Sequence, residues 1–156
     1  MRLLNILKTL FIPREQEITY SFNVNTGNVN RYVLGDEMVN ITLREVRVFN
    51  IRNPRLSKRD VILDINGVVG IVSDATLVTG ILYIISAVSR QSEETLKLNN
   101  EVRELLDNAF KDDHAKTFIL IVKGKGDKIK DLRSKTGLEV IKHVIVNKLD
   151  YEFKEI

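Results

Sequence analysis

From Glu17 to Val72 the chain is written with a period of two, and that alternation is the strongest constraint on what it can fold into. In Glu17–Val24 (EITYSFNV), Ile18, Tyr20, Phe22 and Val24 fall on one side. Successive side chains of a strand point to opposite faces, so this spacing describes a half-buried strand rather than a helix. Asn25-Thr26-Gly27-Asn28 reads as a turn, and Val29–Leu34 (VNRYVL) as the returning strand of a hairpin. Gly35-Asp36-Glu37 turns the chain again. Met38–Ile51 carries Val39, Ile41, Leu43, Val46, Val48 and Ile51, with a slip in the alternation near Glu45. That slip predicts one long strand with a bulge, or two strands. Asn53-Pro54-Arg55 is a turn. Val61–Ile65 (VILDI) and Val68–Val72 (VVGIV) flank Asn66-Gly67, two residues that tolerate the positive φ angles of a type I′ hairpin turn. Residues 17–72 therefore predict a five-strand, mostly antiparallel meander.

The pattern changes after Ser73. Ser73 or Asp74 is placed to cap a helix running to about Ser89, and Ser92 to cap a second one running to about Asp113. Glu93 and Glu94 suit the first turn of that second helix, and Leu98, Val102, Leu105, Leu106, Ala109 and Phe110 form its apolar stripe. Thr117–Val122 (TFILIV) is a continuous apolar run, as expected of a strand buried on both faces. Lys123-Gly124-Lys125-Gly126 is a turn, and Asp127 starts a helix ending near Gly137. Leu138–Leu149 predicts a strand centred on His143-Val144-Ile145-Val146. The whole reads as a β-α-β unit with parallel strands. The succession of apolar strand, GKGD, amphipathic helix and GLEVIKHVIV over residues 116–148 is similar in topology to half of a ferredoxin-like regulatory domain of the ACT kind. The expected fold is α+β: an N-terminal antiparallel meander, two central helices and a C-terminal β-α-β unit. One domain over residues 1–156 accommodates all of it, with a natural division into a β-rich 1–73 and an α/β 74–156.

Two segments bear on membranes. Met1–Ile12 is apolar except for Arg2, Asn5, Lys8 and Thr9, and Leu3, Leu4, Leu7, Leu10 and Phe11 share one helical face. Lys8 interrupts the apolar run a signal peptide needs, and Pro13-Arg14-Glu15 stands where a cleavage site would want small residues. The stripe reads either as an amphipathic helix for a membrane or partner, or as a short helix closing over the core. Ala75–Val88 is too short for a span, which needs about 20 apolar residues, and reads as a buried element. The expectation is a cytoplasmic protein.

Composition narrows the chemistry. The chain has 156 residues, no cysteine and two histidines. Without cysteine there is no disulfide framework, thiolate zinc site, iron–sulfur cluster or thiol nucleophile. His114 and His143 have no acids at metal-ligand spacing, and His114 at a helix end has a sufficient role with the helix dipole. The serines lie in no GxSxG or SxxK context. No cofactor is called for, and no catalytic constellation marks the chain as an enzyme. Few glutamines and many charges lean toward a thermophile's composition, against which stand thirteen asparagines.

Two basic segments remain. Arg44, Arg47, Arg52, Arg55, Lys58 and Arg59 face a single acid, Glu45, within residues 44–59. Such a segment is a candidate for tracking a nucleic-acid backbone, although aromatic residues for base stacking are few. Lys123, Gly124, Lys125, Gly126 and Lys128 join a strand to a helix start, where backbone N–H groups and lysines suit an anion. The turn lacks both the Walker spacing and the third glycine of GxGxxG. Each segment also reads as a solvated basic surface. Residues 90–114 are acidic by comparison, with seven acids against four bases. The leading expectation is a non-enzymatic, homo-oligomeric binding or regulatory protein. Nucleic-acid binding through 44–59 and a phosphorylated small molecule held at 123–128 are the alternatives.

Overall fold

A computed structural model describes residues 15–25, 28–109 and 116–155. The strands are β1 (Glu15–Val24), β2 (Asn28–Leu34), β3 (Glu37–Asn50), β4 (Asn53–Ile65), β5 (Val68–Ser73), β6 (Lys116–Lys125) and β7 (Asp150–Glu155). The helices are α1 (Ile81–Ser89), α2 (Glu93–Ala109), α3 (Gly126–Ile129) and α4 (Glu139–Val146), with 3-10 turns at Asp74–Thr79 and Lys130–Ser134. Among the described residues, all seven strands join one antiparallel sheet in the order β5-β4-β3-β1-β6-β7, with β2 also on β3. The mixed α+β class is as expected. The stripe at 1–12, Phe110 and His114 lie outside the described residues.

The meander differs from expectation at its start. β2 does not fold back on β1; both strands run antiparallel to β3, end to end along one edge of it. Val24 pairs with Val46 and Asn28 with Leu43, and the Asn25 N–H donates to the Glu45 carbonyl at 3.0 Å, so β1 and β2 follow β3 in one direction. Asn66 and Gly67 do form the expected tight turn, with φ of 49° and 90°. The Asn66 side chain accepts the Asn40 N–H at 2.9 Å, and its own N–H donates to the Asn40 carbonyl at 3.1 Å.

The slip near Glu45 has a clear cause. β3 is unbroken, but the face it buries changes along its length. Val39 and Ile41, with Val61, Leu63 and Ile65 of β4, pack under Ile84 and Val88 of α1. Val46 and Val48 point the other way. They join Tyr20, Phe22, Leu120 and Val122 against Val102 and Leu106 of α2 and Val140, Ile141 and Val144 of α4. The helices thus cover opposite faces of one sheet. Burying each large side chain such as Phe22 or Leu120 stabilises by about 1.5–3 kcal/mol. α1 lies so close to β5 that a Cβ on Gly70 would run into the Val88 side chain.

The first central helix is shorter than expected. Residues 74–79 form a 3-10 turn, and α1 starts only after Gly80 at φ 113°. Ser92 caps α2 as expected, its hydroxyl accepting the Thr95 N–H at 3.1 Å.

The C-terminal β-α-β unit is corrected. Glu139–Val146 is a helix, and the strand that follows is β7, antiparallel to β6. The run VIKHVIV is too short for periodicity to separate strand from helix. Val140, Ile141 and Val144 nevertheless sit at helical spacing and are buried, while Glu139 is exposed and Lys142 and His143 are half-buried. The parallel pair implied by the ferredoxin-like resemblance is absent among the described strands.

Candidate anion-binding site

The six bases of residues 44–59 do not converge. Arg44 reaches over the helix-covered face to Asp107 at 2.6 Å, and Lys58 lies 3.8 Å from Asp60. Arg47 and Arg59 face the opposite side as direct cross-strand neighbours. With Asn23, Asn25 and Glu45 they line a small cleft of about 200 Å³. Arg52 is exposed in the β3–β4 connection, and Arg55 is exposed near the start of β4, where the expected turn at Asn53-Pro54-Arg55 is strand instead. Phe49 has the same parity on β3 as Arg47, but Tyr20 and Phe22 are 1% and 0% exposed and so offer no stacking surface.

Residues 123–128 do not form the expected turn, since β6 runs on to Lys125 and α3 begins at Gly126, but their bases do come together. Lys123, Gly124, Lys125 and Lys128 line one side of a cleft of about 460 Å³, a volume typical of small-molecule sites. Asn147, Lys148, Leu149 and Asp150 from the α4–β7 connection line the other side, with Glu15 at the rim. Four lysines therefore line a cleft together with Glu15 and Asp150. Lys123 also lies 3.8 Å from Glu17. Gly126 is not a lining residue, and α3, at four residues, is too short to supply a helix-terminal anion site.

Lys148 is the member that sequence reasoning missed. Its N–H donates to the Ile145 carbonyl at 3.2 Å, and the Leu149 N–H donates to the Val144 carbonyl at 3.1 Å. Those two bonds form a Schellman motif closing α4. The motif puts Lys148 at φ 50°, a conformation usually given to glycine or asparagine. Reading 143–146 as a strand concealed that helix end and therefore the lysine on it.

Asp60 is a buried carboxylate, 4% exposed. Its Oδ2 accepts the Leu138 N–H at 2.7 Å, and a Cβ on Gly137 would collide with it. Burial raises its pKa, opposed by the Leu138 N–H and by Lys58 and Lys142. The geometry makes Asp60 a clamp from β4 to the start of α4. Asn99, also buried, donates to Gln91 at 2.6 Å, and Gln91 in turn donates to the Val69 and Val88 carbonyls. His143 Nε2 is buried with no hydrogen-bond partner among the described residues. No group of three or more His, Asp or Glu side chains is arranged to hold a metal among the described residues. No described helix is long and apolar enough to cross a membrane. No protein-family description, curated protein or solved structure matches the chain.

Proposed function

We propose that this chain is a binding protein for a small phosphorylated ligand, held by Lys123, Lys125, Lys128 and Lys148. The supporting observation is that four lysines, from the end of β6, from α3 and from the α4–β7 connection, line one cleft of ligand size. Lysine ammoniums are mobile point charges that suit phosphate groups without a fixed bidentate geometry. The strained backbone at Lys148 adds support, because local strain gathers at functional positions. On this reading the chain binds and signals rather than catalyses.

Thermal unfolding with pyrophosphate, nucleotides and sugar phosphates tests the reading. A ligand at a hundred times its Kd stabilises by about 2.7 kcal/mol, equivalent to a rise in Tm of roughly 5–10 °C at this chain length. The triple variant Lys125→Glu, Lys128→Glu, Lys148→Glu should lose the shift. No shift with any phosphate at millimolar concentration, or one that survives the triple variant, would count against the proposal.

The second reading is nucleic-acid binding on the other face, favoured by the cross-strand pair Arg47 and Arg59 beside Phe49. It expects affinity to fall steeply with salt and to be lost in Arg52→Glu, Arg55→Glu. Self-association fits either reading, since β2 pairs only with β3 among the described strands and Val29 and Val33 on it are exposed.

A further inference from the structure

We propose that the outer face of α1 is the contact through which two copies of this chain pair about a twofold axis, a surface separate from the lysine-lined cleft. From Ala75 to Ser89 the chain has no charged residue, and no other stretch runs as long without one. The inner face of α1 uses part of that apolar character, with Ile84 and Val88 buried on the sheet beside Ile81 and Ile85. At about 3.6 residues per turn, Leu82, Tyr83, Ser86 and Ala87 fall on the opposite side of the helix. Leu82 and Tyr83 are 65% and 58% exposed, and Val78 in the 3-10 turn before them is 90% exposed. A helix that is apolar all round is ordinarily buried all round. The outer sides of α2 and α4 follow the usual rule and expose charge, Glu93, Glu94, Glu104 and Asp107 on one and Glu139 on the other. An exposed apolar patch of this kind marks an interaction site.

Charge and shape choose a second copy as the occupant. In an isologous contact a patch meets itself, so any charge on it meets its like. Residues 75–89 carry none, and two such faces come together without repulsion. A lipid surface is a poorer match. Helices that lie on membranes set Lys or Arg on their polar face, and α1 has neither. Its nine residues are also too few to span a bilayer. The outer face is graded in size, with Leu82 and Tyr83 toward its N-terminal end and Ser86 and Ala87 toward its C-terminal end. An antiparallel crossing sets Tyr83 over the partner's Ala87 and Leu82 over the partner's Ser86, and the twofold axis repeats both contacts. Large side chains thereby fill the space over small ones, as close packing requires. Tyrosine suits such a contact, because it buries a large apolar ring and keeps its hydroxyl at the wet rim.

Sedimentation equilibrium of the full chain tests the proposal. The wild type should form a dimer with a Kd on the order of micromolar, as befits a small interface. Tyr83→Lys alone and Ala87→Glu alone should each weaken pairing roughly tenfold or more. An equimolar mixture of the two variants should recover a heterodimer. The introduced charges then face each other at one contact, while the other contact keeps its native tyrosine and alanine. Both positions are exposed, and circular dichroism checks that the fold is kept. Should a charge disturb α1, the uncharged pair Leu82→Ser, Tyr83→Ser tests the same face and should also give a monomer. A wild type that stays monomeric at its highest soluble concentration would overturn the proposal. A dimer that survives every variant would move the contact elsewhere, to the β2 edge for example, and overturn it. Failure of the mixture to recover a dimer would overturn the antiparallel twofold. A monomer that binds phosphatidylcholine vesicles, and loses them in Tyr83→Lys, would assign the face to lipid instead.

Discussion

Replacing Asp60 with alanine removes the side chain that clamps β4 to the start of α4. The Leu138 N–H, in a residue 1% exposed, then has no acceptor in place of Asp60 Oδ2 at 2.7 Å. A buried donor left without a partner costs about 1–3 kcal/mol. The Lys58 contact at 3.8 Å adds little, because the lysine side chain is 42% exposed and its attraction is screened. Relief from burying a carboxylate offsets part of the loss. A net destabilisation of about 2 kcal/mol is expected, or roughly 4–8 °C in Tm for a chain of this length. Asp60→Asn keeps a carbonyl oxygen for the Leu138 N–H and should cost less than about 1 kcal/mol. The two variants also separate by pH. Burial raises the Asp60 pKa, so the folded chain keeps this proton where the unfolded chain has released it. The stability of the wild type relative to Asp60→Asn is therefore highest below the ordinary carboxylate value, and falls as pH rises through the folded value. Urea unfolding followed by circular dichroism, at neutral and mildly acidic pH, measures both effects. Equal costs for Ala and Asn would refute the hydrogen-bonded clamp. A gap that moves in the wild type's favour as pH rises would refute the assigned sign.

Three further outcomes follow from the geometry. Gly70→Ala should destabilise by about 1–3 kcal/mol through collision with Val88, and Val88→Ala in the same chain should recover part of that loss in a double-mutant cycle. Tyr20, whose hydroxyl donates to the Leu132 carbonyl at 3.2 Å, has its pKa pushed up to about 12 by burial. A tyrosinate titration should show one phenol ionising well after the unperturbed range, and stability should fall as pH rises from 10 toward 12, since the unfolded phenol ionises first. Lys148→Gly should raise stability by up to about 1 kcal/mol, because glycine adopts the left-handed position of the Schellman motif without strain. The same change should weaken phosphate binding, whereas an unspecialised surface lysine would leave binding untouched.

The parts legible in sequence were those decided by neighbours in the chain. Alternation at Ile18, Tyr20, Phe22 and Val24 found β1, Asn66-Gly67 found its turn, and Ser92 found the start of α2. Strand pairing was less legible, because alternation marks strands without naming their partners, and the pairing rests on β3 offering an edge to both β1 and β2. Residues 139–146 were misread because eight apolar-rich residues satisfy two periods at once, and only packing against α2 selects the helix. For the candidate site, Lys123, Gly124, Lys125 and Lys128 were marked by the glycine-rich segment. Lys148, about twenty residues on, joins them only through the tertiary fold.

The place of β1 in the sheet bears on how the protein is made. One edge of β1 pairs with β3, which follows within about thirty residues, and the other pairs with β6, about a hundred residues later. At a synthesis rate of about 5–20 residues per second, that second edge waits on the order of 5–20 seconds for its partner to be translated. During that interval a nascent meander presents the open hydrogen-bonding edge of a ten-residue strand to every neighbouring chain on the polysome. The demand on chaperones should therefore be greatest in that interval and should end once residues 116–125 have emerged.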